Sequence, residues 1–196
     1  MDFDTLVKFI RVQGCKVIVH DEKKKVDETL GYFIEDPKPQ IHIATKGRKK
    51  YQLISTLLHE YAHFLQWEDG FLKYMDGICL AYNLWDDWLT GYVELNKREK
   101  QIVRNAILSI EYDAEIRAYN LGIQLKLKHF NPTYHLQTAQ SYVAAIKWSF
   151  LCRKDWKKRV GIRLWPAKKL SFKKLFAPLK KREKKFLKKM KVKPRD

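Results

Sequence analysis

The sequence predicts an α+β protein: a small antiparallel sheet packed on a mainly helical body, followed by a basic tail that is helical or disordered. Three observations predict it. Short β-branched and aromatic runs are confined to residues 16–45. Apolar residues beyond residue 50 recur at three- and four-residue spacing. The charge then changes abruptly near residue 151. The net charge of +18 over 196 residues divides unevenly: residues 151–196 carry 20 Lys and Arg against 3 Asp and Glu, a net of +17, while residues 1–150 carry the other 20 against 19, a net of +1. The chain therefore reads as a nearly neutral domain of residues 1–150, long enough to bury a core, and a basic amphipathic tail of residues 151–196.

Residues 2–13 place Phe3, Leu6, Val7 and Ile10 at helical spacing, and Gly14 closes the segment. Residues 16–20, 31–35 and 40–45 read as strands, separated by the charged run DEKKKVDE and the turn DPKP. His20 and His42 fall within them, and an isolated strand histidine is usually an exposed or hydrogen-bonded side chain. A helix begins after Lys46 and Gly47 and stops at Glu68-Asp69-Gly70. Residues 71–95 are crowded with aromatics (Phe71, Tyr74, Tyr82, Trp85, Trp88, Tyr92) around the acidic pair Asp86-Asp87. They read as one or two short helices packed into the core, with a substrate-binding wall as the other reading. Residues 97–127 form a long helical pattern, and Asn131-Pro132 opens another helix with Asn as its cap and Pro at its first position.

The helix of residues 55–67, STLLHEYAHFLQW, carries His59, Glu60 and His63 as H-E-x-x-H. Residues four apart share a helix face, so both imidazoles can aim one nitrogen at a common point about 2 Å away, which suits Zn²⁺. Glu60 follows the first ligand directly, within reach of a water and outside the ligand set, the position of a general base. The alternative is a pair of buried helix histidines. Against it, Tyr51, Ile54, Leu57, Leu58, Tyr61, Ala62, Phe64 and Leu65 make the helix apolar nearly all round. Buried polar groups so placed need partners, and one metal ion supplies them together. Farther on, Glu111 and Glu115 lie one turn apart in IEYDAEIRAY. Two carboxylates there are either a solvated stripe or are paired with cations or a metal. His129 and His135 flank the last body helix as candidate transition-state donors.

Cys15, Cys79 and Cys152 are odd in number, widely spaced and form no C-x-x-C, so they read as plain thiols and exclude a disulfide framework. The N-terminus lacks a basic region followed by an apolar run, and no apolar stretch approaches the roughly 18 residues needed to span a bilayer. The expectation is a cytoplasmic chain with no transmembrane segment; its oligomeric state is left open by the sequence.

A small sheet, then H-E-x-x-H, then a later helix carrying E-x-x-A-E resembles a gluzincin, the zincin class whose third zinc ligand is a glutamate. More narrowly, LGYFIE, QIHIAT, STLLHEYAHFL and EYDAEIRAY resemble, in order, the strands, active-site helix and glutamate helix of the ImmA/IrrE family of metallopeptidases. The resemblance covers roughly residues 15–125 and implies a zincin-like fold. It implies His59, His63 and Glu111 as zinc ligands, Glu60 as the base, and Glu115 bonded to the far nitrogen of a ligand histidine. The segment between His63 and Glu111 is longer than the family pattern, and the basic tail is no part of it. Because family members include proteases that cleave transcriptional repressors, the implied substrate is a peptide or protein, with DNA-bound regulators among the class. An extended substrate is expected to add to the sheet edge at residues 40–45.

The tail has its own chemistry. Lys157, Lys158, Arg159, Lys173, Lys174, Lys180, Lys181 and Arg182 are interleaved with Trp156, Trp165, Phe172 and Phe176, a pattern suited to phosphates and stacked bases. An anionic membrane surface, an acidic protein and a merely solvated charge run are the other readings. In a second overall reading the chain is a nucleic-acid-binding protein whose zinc site is structural or vestigial. The nucleic-acid reading predicts that the full chain binds DNA or RNA more tightly than residues 1–150 do, with an affinity that falls steeply as salt rises. Equal affinity of the two, or indifference to salt, contradicts it, and preference for anionic vesicles moves the assignment to the membrane.

Overall fold

The computed structural model describes residues 1–22, 30–35, 37–70 and 78–152. Among them the fold is α+β, with five helices and three strands: α1 (Phe3–Val12), β1 (Lys16–His20), β2 (Gly31–Ile34), β3 (Gln40–Ala44), α2 (Lys50–Glu68), α3 (Ile78–Thr90), α4 (Lys97–Gln124) and α5 (Pro132–Cys152). Most of DEKKKVDE, the aromatics Phe71 and Tyr74, and the tail from residue 153, with Lys157, Lys158, Arg159, Lys173, Lys174, Lys180, Lys181 and Arg182, lie outside the described residues. No described helix is long and apolar enough to cross a membrane.

The described residues fall into two compact units, those of 1–70 with 113–135 and those of 78–112 with 136–152. The physical reason lies in the long helices, whose apolar residues serve different cores along their length. Ala114 and Ala118 of α4 join the first apolar cluster, whereas Val103, Ile107 and Leu108 of the same helix join the second.

In the first unit, Leu6, Val7 and Ile10 of α1, Val17 of β1, Ile41 and Ile43 of β3, and Leu53, Ile54, Leu57, Leu58 and Phe64 of α2 form one buried cluster. Each such side chain contributes about 1.5–3 kcal/mol of burial, which fixes α2 against the sheet. Local signals set the helix ends. The Asp2 carboxylate accepts the Thr5 N–H at 3.0 Å to start α1. Gln52 accepts the Lys49 N–H at 2.8 Å at the start of α2, and Gly70, with φ of +72°, follows its end. Asn131 caps α5 through the Tyr134 N–H at 2.9 Å.

The sheet is mixed, a correction to the antiparallel expectation. Its order is β1-β3-β2, with β3 antiparallel to β2 and parallel to β1. The short connection after β2 makes the β2–β3 pair antiparallel, and the longer one after β1 leaves room for β3 to enter the middle. The central position goes to the strand whose alternation is strongest, since Ile41 and Ile43 are fully buried there. A substrate strand therefore cannot add along residues 40–45: both edges of β3 are already paired, to β1 from Gln40 to Ala44 and to β2 from Gln40 to Ile43. On the sheet, His20 Nε2 and His42 Nδ1 are 3.0 Å apart, and Tyr32 stacks on His42 with ring centroids 4.6 Å apart. These strand histidines are occupied with each other.

Arg48 ties the end of the sheet to α2. Its guanidinium donates to the Ala44 carbonyl at 2.9 Å, the Gln52 carbonyl at 3.0 Å and the Thr56 hydroxyl at 2.6 Å. Burial pulls its pKa down, opposed by Tyr134 and Glu60. Cys15 is buried, which pushes its thiol up to about 12, so it packs and does not react.

The second unit buries Trp85 and Trp88 of α3 with Val103, Ile107, Val143, Ile146 and Trp148. The Trp85 indole N–H donates to Ser149 Oγ at 3.1 Å, and both tryptophans stack on Phe150. Lys100 sits 5.0 Å from the Trp88 ring centroid as a cation–π partner. Tyr92, by contrast, is exposed. The described tryptophans of this aromatic run are thus core, as the packing reading expected.

Gly31 allows β2 to approach α2. A Cβ there would lie 2.8 Å from Thr56 Cγ2, 2.9 Å from Ile43 Cδ1 and 3.1 Å from the His42 carbonyl oxygen. Overpacking costs about 1–3 kcal/mol, against roughly 0.4–1 kcal/mol gained from a stiffer unfolded chain. Gly31→Ala is therefore expected to lower the urea midpoint with an unchanged m-value, a net loss of about 1 kcal/mol; an unchanged or higher midpoint contradicts the close approach.

Candidate metal site

The site is built on α2, a largely buried helix that carries a polar stripe. Ser55, His59, His63 and Gln66 follow one another at spacings of four, four and three, and Ser55 and Gln66 are buried. Buried polar groups in such a helix need partners, and the first unit supplies them from α4 and α5.

His59 and His63 meet edge to face, their ring planes at 88° and their Nε2 atoms 3.2 Å apart. Each ring turns its Nδ1 outward to an oxygen. His59 Nδ1 lies 3.1 Å from Glu115 Oε1, and His63 Nδ1 lies 2.9 Å from Gln66 Oε1. The orientation of the Gln66 amide follows from its other end, where Nε2 donates to Asp113 Oδ2 at 2.8 Å. A carboxylate only accepts, so the amide must present Nε2 to Asp113 and Oε1 to His63.

The tautomers follow. When both rings are neutral, each donates from Nδ1 and carries its lone pair on Nε2, and the two Nε2 atoms lie 3.2 Å apart. Two neutral rings so placed repel, and either a proton on one Nε2 or a metal ion between them would relieve it. Two nitrogens each about 2.0–2.1 Å from a tetrahedral zinc are about 3.3 Å apart, so the separation and the donor set both fit that metal. Glu60, buried next to His59 in sequence, completes the group: one ligand atom from each of His59, Glu60 and His63 falls within 4.8 Å of the others.

Glu115 is buried and anionic. Desolvation alone would push its carboxyl up, but the His59 and His135 rings hold it well below the usual carboxylate range. Its Oε2 lies 3.0 Å from His135 Nε2, and His135 Nδ1 is 2.7 Å from Ser55 Oγ. Ser55, His135 and Glu115 thus stand in the order nucleophile, base and acid of a hydrolase triad. Both Ser55 and His135 are buried, however, His135 being 1% exposed, and Glu115 continues to His59. A hydroxyl sealed from solvent attacks nothing, so this chain orients the His59 ring. The same burial places His135 away from the transition-state role expected of it: both ring nitrogens are engaged inside the unit. His129 sits half-buried in the connection between α4 and α5.

Glu111 belongs to the second unit. It is buried there, and its Oε1 accepts from the Tyr82 hydroxyl and, at 3.2 Å, from the Tyr142 hydroxyl. Neither tyrosine was singled out for this role by the sequence, since each falls among apolar residues at helical spacing. Ser55 and Gln66 were also missed, although their spacing from His59 and His63 extends the same stripe. No family model matches the chain, and comparison with curated proteins and with solved structures finds no match.

Proposed function

We propose that the chain is a zinc-dependent metallopeptidase. The observation that carries the reading is the pair of Nε2 atoms of His59 and His63, turned toward each other at 3.2 Å while each Nδ1 lies beside a side-chain oxygen. His59 and His63 hold the metal, and the resemblance to the zincin class adds Glu111 as the third ligand, leaving a position open for chemistry. When bound, zinc supplies a Lewis acid toward a peptide carbonyl and a water. Glu60 takes a proton from the attacking water on its carboxylate and delivers it to the departing amine. Glu115 keeps the His59 ring in the required tautomer. The substrate class is a peptide or protein, with a DNA-bound regulator the form that joins this site to the +17 tail. The same tail favours the second reading, a nucleic-acid-binding protein with structural zinc; zinc bound with no turnover of any peptide pool, together with tail-dependent nucleic-acid binding, would establish it.

Metal analysis of the purified protein is expected to give one zinc per chain, reduced in His59→Ala, His63→Ala and Glu111→Ala. Zinc binding as tight as wild type in Glu111→Ala, with loss in Glu115→Ala, would move the third ligand by one turn of α4.

Glu60→Gln is expected to keep the fold and the zinc while lowering peptide turnover at least about a hundredfold, the scale of general-base catalysis. Retained turnover removes Glu60 from the mechanism.

A further inference from the structure

We propose that Gln66 is the positioning residue that sets the tautomer and ring orientation of His63, acting through a closed circuit of side chains between α2 and α4. The circuit leaves α2 at Gln66, whose Nε2 donates to Asp113 Oδ2 at 2.8 Å. Arg117 Nε, one turn farther along α4, donates to the same Asp113 oxygen at 2.6 Å. The Arg117 guanidinium then returns to the end of α2, donating from a terminal nitrogen to Asp69 Oδ2 at 2.5 Å. His63, Gln66 and Asp69 are spaced three apart, and Asp113 and Arg117 four apart, so each helix presents its members on one face.

The donations converge on Asp113, from His63 through Gln66 on one side and from Arg117 on the other. Arg117 only donates and Asp113 only accepts. Gln66, between an acceptor and a ring, must donate on one side and accept on the other. Gln66 is fully buried, so bulk solvent does not compete for its amide. The His63 ring is thereby committed to Nδ1–H, with its Nε2 lone pair turned toward His59. The two histidines are also held differently. His59 is backed by the carboxylate of Glu115, whereas His63 is backed by a neutral amide that carries the influence of Asp113 at one remove. The role in metal binding rests on the zinc reading proposed above; the role in fixing the tautomer does not.

The test compares the full-length wild type with Gln66→Leu, Gln66→Glu and the double variant Gln66→Glu/Asp113→Asn. Ring-nitrogen NMR reads the His63 tautomer in the zinc-free protein, and chelator competition reads zinc affinity. Wild type is expected to show His63 as Nδ1–H, and Gln66→Leu to lose that single tautomer and about 10–100-fold in zinc affinity. Gln66→Glu alone sets two carboxylates against each other and weakens binding. In the double variant the total charge and the direction of the bond to His63 are restored, because the carboxylate placed at position 66 accepts both from His63 and from the amide placed at position 113, and most of the affinity returns. A His63 protonated on Nε2 in the zinc-free wild type overturns the proposal, as does a Gln66→Leu protein with unchanged tautomer and affinity, or a double variant no better than Gln66→Glu. If Gln66→Leu does not fold, the wild-type tautomer and the paired Glu variants still decide. A wild type that binds no zinc but loses its Nδ1–H tautomer in Gln66→Leu refutes the metal reading and sustains the assignment of Gln66.

Discussion

Two histidine rings held with their Nε2 atoms 3.2 Å apart on a largely buried helix form the constraint around which the first unit is arranged. Neither ring can turn away without breaking a bond on its far side: His59 would lose Glu115 and His63 would lose Gln66. Two neutral rings so held repel at their near sides, and a proton or a bound metal ion would relieve it. This explains why α4 brings acidic residues to α2 at all. Glu115 and Asp113, on the same helix, serve the two rings separately, one directly and one through an amide.

Stability is a poor explanation of these acidic groups. Removing an ionised carboxylate from water costs several kcal/mol after relaxation. Glu115 recovers about 1.5–3 kcal/mol from each of its contacts with His59 and His135, so the net is small. Apolar residues of similar volume would hold the two helices together as well. What they would not do is choose one tautomer for each ring. The buried chain Ser55–His135–Glu115 and the circuit from buried Gln66 out through Asp113 and Arg117 to Asp69 make sense as devices for orientation.

The sheet supports the site helix from the other side. Gly31 brings β2 against Thr56, and Arg48 joins the end of β3 to the first turns of α2, so the polar stripe is framed by backbone that has little room to move. Within the second unit, tryptophans fill the core and two tyrosine hydroxyls converge on Glu111. A carboxylate held by two phenols is fixed in place within that unit.

Much of this was legible in the sequence because it depends on local order. The helix limits follow from Asp2, Asn131, Gly14 and Gly70, the strands from β-branched alternation, and the pairing of His59 with His63 from a spacing of four. The stripe Ser55–His59–His63–Gln66 was written there too, by the same periodicity. The sequence also separated the neutral body from the tail, since charge adds up without a fold. Strand order was decided only in three dimensions, because pairing is chosen by which strand gains most from two-sided burial, and that put β3 in the middle against the antiparallel expectation. The fate of His135 was also tertiary. Nothing local distinguishes a histidine that meets substrate from one sealed against Glu115 and Ser55, since the difference lies in partners 20 and 80 residues away. The division into two cores has the same origin: a helix of 28 residues has one sequence pattern, but what covers each stretch of it depends on distant parts of the chain.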